Sequence, residues 1–155
     1  MYGCGLRIGE AVSVGVKDVD PARMVIRVVG KGNKERLAPL SQGLLEDLRR
    51  MWKSHRHPQW LFANKRGSHH VDEGELYKVF GQLRGTLKLG DAVKPHSLRH
   101  SFATRLMEKG VPAETVRILL GHASIRTTQT YLHLTEPIRR QVNDVVSGFC
   151  VSLFD

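Results

Sequence analysis

Four segments of this chain hold side chains suited to handling a phosphate. In PHSLRHSFATRL (residues 95–106), His96 and Arg99 stand three apart at a helix start, on one face. The free N–H groups and dipole of such an end favour an anion, and a guanidinium fork matches two phosphoryl oxygens. In LLGHASIRTTQTYLH (119–133), His122 follows a helix-ending glycine and Tyr131 lies nine residues on. A tyrosine hydroxyl ionises near pH ~10, so it becomes a nucleophile only beside cations and an activated phosphorus centre. His96, Arg99 and His122 could supply that setting. GLRIGE (5–10) adds Arg7, and VVGKGNKERLAPL (28–40) puts Lys31 before a glycine turn. Taken singly, each has an ordinary alternative: a solvated His, Arg or Lys, or a tyrosine that fills a core. His96 and His100 are four apart, but no Glu completes HExxH, which argues against a zinc peptidase.

The elements that must position these residues follow from periodicity. Leu6, Ile8, Val12 and Val16 predict a helix over 5–17. The β-branched run 24–30 and the return 35–40 predict a hairpin across GKGN (30–33). Ser41 caps a helix carrying Leu44, Leu45, Leu48 and Trp52, and Trp60 to Phe62 forms a short third strand. Asp72 opens a helix with Leu76, Val79, Phe80, Leu83 and Leu87 on its apolar face. Further helices are expected over 97–109, ended by Gly110; from Pro112 to Leu120, ended by Gly121; over 127–133; and from Pro137 to Ser147. The fold class is α+β, mainly helical, with a small antiparallel sheet near the N-terminus.

Composition narrows the partner. The 155 residues carry 24 Lys+Arg against 15 Asp+Glu, a formal net charge of +9. That surplus suggests a polyanion, most naturally nucleic acid. Hydrophobic residues at 41% and charged residues at 25% exclude a mainly disordered chain. The apolar runs are too short to span a bilayer, so no membrane partner is expected. Cys4 and Cys150, at opposite ends, fit a reducing cytoplasm better than a disulfide scaffold. Lys34, Arg36, Lys65, Arg66, Lys94, Arg105 and Arg126 are candidate phosphate contacts for such a nucleic-acid partner, with Arg139 and Arg140 beside them.

GLRIGE, GKGNKERLAPL, HSLRHSFAT and LLGHASIRTTQTYLH, in this order and with these gaps, resemble the catalytic domain of the tyrosine recombinase (phage integrase) family, its Xer-like branch above all. The likeness covers nearly the whole chain. It implies an enzyme that cuts and rejoins double-stranded DNA, with Tyr131 forming a 3′-phosphotyrosyl link. Arg7 and Arg99 would clamp the scissile phosphate. Lys31, with Lys34 as second choice, would be lowered into the DNA groove to protonate the departing 5′-oxygen. His96 would act as general acid/base, and His122 would donate a hydrogen bond to the phosphoryl group. Two guanidinium groups offset the charge growing on phosphorus, so neither metal nor nucleotide cofactor is expected.

The resemblance further implies a tetramer on two DNA sites, joined through the C-terminal segment, in a bacterial cytoplasm and associated with the nucleoid. Residues 1–155 read as a single catalytic domain, N-terminally truncated, with the family's core-binding domain absent. Two rivals stay open: a type IB topoisomerase-like relaxing enzyme, and a non-catalytic DNA-binding fragment of a truncated integrase.

Overall fold

The computed structural model describes residues 1–30, 34–121 and 136–154, with backbone only at 34, 136 and 150–154. An antiparallel sheet is built from β1 (Val19–Asp20), β2 (Val25–Gly30) and β3 (Lys34–Pro39), in that spatial order. Ile26 faces Ala38 and Val28 faces Arg36 across the β2–β3 ladder, which runs to Gly30 opposite Lys34. Because side chains alternate along a strand, these four share one face, while Val25, Leu37 and Pro39 share the other. Both faces are covered, which explains why β2 reads as a nearly continuous apolar run.

Six α-helices accompany the sheet among the described residues, besides a 3-10 turn at Val16–Asp18: α1 (Ile8–Val12), α2 (Gln42–His55), α3 (Glu73–Thr86), α4 (Pro95–Glu108), α5 (Ala113–Leu120) and α6 (Glu136–Phe154). On one face Val25 and Leu37 join Phe102 and Leu106 of α4, Val116 and Leu119 of α5, and Val142, Val146 and Phe149 of α6. On the other, Ile26, Val28 and Ala38 pack with Cys4, Leu6, Val14, Leu45 and Leu61. Local chemistry sets the helix ends. Ser41 Oγ accepts from Leu44 N–H at 3.2 Å and Asp72 Oδ1 from Glu75 N–H at 2.8 Å. Gly121 closes α5 in the left-handed region at φ 70°.

Several expectations change. The predicted helix over 5–17 is cut to Ile8–Val12, because Ser13 Oγ bonds back to the Gly9 carbonyl and Gly15 turns extended to bridge Trp60. The third strand is Val19–Asp20, paired with Val25 and Ile26, whereas Trp60 to Phe62 contributes only the bridge at Trp60. The α3 face is not core: no residue of α3 is buried, Leu83 and Leu87 are 55% and 64% exposed, and its main neighbour is α1. The helix expected from Ser97 starts two residues earlier, since proline suits the first helical position. The helix expected over 127–133 lies outside the described residues.

The C-terminal helix runs past the expected Ser147 to Phe154 and packs on its own domain. Val142 and Val146 are fully buried, and the Phe149 ring meets Phe102 edge-on at 5.7 Å and Tyr2 at 5.3 Å. Among the described residues, no helix is long and apolar enough to cross a membrane.

Candidate active site

The site begins with the approach of residues 4–7 to α4. Gly5 has φ +66°, and a Cβ there would lie 2.7 Å from two ring carbons of Phe102, so only glycine fits without displacement. Its carbonyl is thereby presented to Arg99. Arg99 Nη1 donates to Gly5 O at 2.6 Å, and Nη2 donates to Leu120 O, near the C-terminus of α5, also at 2.6 Å. Arg7 then caps α1. Its main-chain N–H donates to Glu10 Oε2 at 2.7 Å and its Nη1 to Glu10 Oε1 at 2.9 Å.

Glu10 is the centre of the arrangement. Arg36, from β3, grips it with both ends of its fork, Nη1 to Oε1 and Nη2 to Oε2, each at 2.7 Å. Arg36 Nε donates to Leu119 O at 3.0 Å. Arg99 Nη1 stands 3.7 Å from Glu10 Oε2. One carboxylate thus joins three guanidinium groups supplied by the chain before α1, by β3 and by α4. Three positive charges against one negative leave an excess that favours an anion. Arg7 is the outward member, its side chain 45% exposed.

The electrostatics follow from this packing. Burial pushes the Glu10 carboxyl up. Hydrogen bonds from the Arg36 side chain and the Arg7 main chain, with the charge of Arg36, outweigh it and bring the pKa from 4.5 to about 2. Arg99 is lowered from its ordinary value to about 10, chiefly by burial and then by the charges of Arg7 and Arg36, with Glu10 opposing. Both groups are ionised at neutral pH.

Of the residues singled out in the sequence, Arg7 and Arg99 are brought together through Glu10. His96 shares the helix with Arg99 but is exposed where Arg99 is buried, so the two differ in depth. Lys65, Arg66, Lys94 and Arg105 are exposed. Arg36 corrects an expectation: proposed as a DNA contact, it is 4% exposed and directs its donors at Glu10 and Leu119. Lys31, His122, Arg126 and Tyr131, and the side chain of Lys34, lie outside the described residues. Glu10 received no role from the sequence. Its mark was there: an acid three residues after Arg7, at the start of a helix, is placed to accept from the capping main chain.

Residues 1–137 match the model of the phage integrase family. The putative integrase/recombinase y4qK of Sinorhizobium fredii is 42% identical over 134 residues, which cover 86% of this chain and 44% of that protein. The tyrosine recombinase XerD of Lacticaseibacillus casei is 37% identical over 142 residues, covering 87% and 48%. Among solved structures, the XerA recombinase superposes with a TM-score of 0.69 at 30% identity, over 88% of this chain and 52% of that one. The XerH site-specific recombinase, bound to its difH substrate in a pre-cleavage complex, gives 0.68 at 29% identity, over 88% and 42%. The chain belongs to the phage integrase family of tyrosine recombinases, and its α+β fold is that of their catalytic domain. It spans about half the length of the curated relatives it matches.

Proposed function

We propose that this chain is the catalytic portion of a site-specific recombinase that cleaves and rejoins double-stranded DNA. The observation that carries the reading is the buried Glu10 carboxylate, which draws Arg7 and Arg99 to one place and leaves that place cationic. In this reading, Tyr131 Oη attacks the scissile phosphorus and the bond to the 5′-oxygen breaks, leaving a 3′-phosphotyrosyl link. Lys31 gives the departing oxygen its proton, His96 takes the tyrosine proton, and His122 hydrogen-bonds the phosphoryl group. The arginines hold the two non-bridging oxygens as charge grows on them. Rejoining is the reverse attack by a 5′-hydroxyl, and the ester energy kept in the phosphotyrosine makes a nucleotide cofactor unnecessary.

Lys65, Arg66, Lys94 and Arg105, all exposed, suit contacts to the DNA backbone. Assembly as a tetramer through the C-terminal segment, in a bacterial cytoplasm, completes the proposal. The test is incubation with randomised nicked duplexes at low salt. A covalent protein–DNA adduct that Tyr131→Phe abolishes is the expected result. Salt-sensitive binding with no adduct from the folded chain would leave it a DNA-binding fragment and overturn the catalytic reading.

A further inference from the structure

Arg36 is buried, charged and far in sequence from the residues it holds. Its neighbours belong to three of the four sequence segments. Through Glu10 it reaches Arg7. Its own strand, β3, lies in the segment that contains Lys31. Through Leu119 O it reaches the end of α5, which precedes His122 in the chain. There the fit is close: a Cβ on Gly121 would stand 2.9 Å from Arg36 Cδ.

We propose that Arg36 is a positioning residue for the phosphate clamp. It touches no substrate. Its fork fixes the plane of the Glu10 carboxylate, and that carboxylate then sets where Arg7 and Arg99 stand relative to each other. The inference rests on the recombinase reading above. Two physical points support it. A buried ion pair is seldom better for stability than well-packed apolar side chains, so stability alone does not call for an arginine here. An apolar side chain, however, has no means of orienting a carboxylate, and the shared anion offsets the mutual repulsion of Arg7 and Arg99 only where it is held between them. The lowering of Arg99 by the Arg7 charge reflects that repulsion.

The experiment uses a duplex recovered by covalent capture on the wild-type chain from a randomised nicked pool. Single-turnover adduct formation and duplex affinity are measured for wild type, Arg36→Met and Arg36→Lys, at temperatures where circular dichroism shows each folded. The expected result is unchanged affinity with adduct formation slowed about 100-fold in Arg36→Met, as for a misplacement of order 1 Å. Arg36→Lys, which keeps the charge but not the fork, should fall between. A second readout replaces one non-bridging oxygen of the scissile phosphate with methyl. The neutral ester asks less of the arginine clamp, so the Arg36 defect should shrink on it, which a defect of folding alone would not do.

Wild-type rates in Arg36→Met, or in Arg36→Lys should the methionine variant not fold, would overturn the proposal. So would a defect of equal size on both esters, or a loss of affinity in step with the loss of rate. Failure of the wild-type chain to capture any duplex would sink the recombinase reading and this inference together. Capture by wild type with silent Arg36 variants would sink this inference alone.

Discussion

Glu10 accepts five hydrogen-bond or ionic contacts from three arginines, and protonating it would weaken all of them. With a folded pKa of about 2 against 4.5, the unfolded chain binds the proton more readily. Its contribution is therefore complete above about pH 4.5 and is lost as pH falls toward 2, amounting to about 3 kcal/mol. Glu10→Gln should destabilise the chain at neutral pH by about 3–5 kcal/mol, as when one partner of a buried pair is removed. Its deficit relative to wild type should narrow on acidification through that window, which urea unfolding at a series of pH values would measure. A deficit that is constant from pH 7 to pH 2 would contradict the assignment. Arg99→Ala should slow adduct formation by about 3–4 kcal/mol of transition-state stabilisation, judged by a lost oxyanion-hole donor. It should also unfold more easily, since Gly5 O and Leu120 O each lose a donor.

Helices differ widely in what they owe to tertiary packing. Leu106 on α4 is fully buried, so Leu106→Ala should cost about 2–5 kcal/mol, whereas Leu83→Ser on α3 should stay within about 0.5 kcal/mol. Thermal melts of the two variants check this. Ser41→Ala should cost about 1 kcal/mol through the lost cap of α2. Most elements were legible because their signals are local. Ser41 and Asp72 announce their helices, Gly121 ends one, and the apolar run of β2 declares a strand covered on both sides. The misreadings occurred where distant partners decide. Periodicity could not say that Gly15 would leave the first helix to bridge Trp60, nor that the apolar face of α3 would stay largely uncovered. Arg36 shows the same limit within the site. An arginine between Glu35 and Leu37 looks solvated, and only the β2–β3 register together with a Glu from α1 explains its burial.

At the scale of the whole molecule, the sheet separates two cores, and the arginine cluster joins the chain before α1, β3, α4 and α5. DNA affinity should fall with salt at a log–log slope of about −0.9 per phosphate neutralised. Lys65→Ala with Arg66→Ala should reduce that slope if this exposed turn meets DNA, and Arg36→Met should leave it unchanged; filter binding at a series of salt concentrations distinguishes them. The bonds from Arg99 to Gly5 and Leu120 also bear on how such chains change over generations. A lineage that had stopped cutting DNA would still be held to Glu10 and Arg99, because removing either one alone leaves buried partners unsatisfied and destabilises the fold. Retention of these residues thus records selection for folding as much as for chemistry, and a silent descendant would go on carrying this part of an active enzyme's motifs.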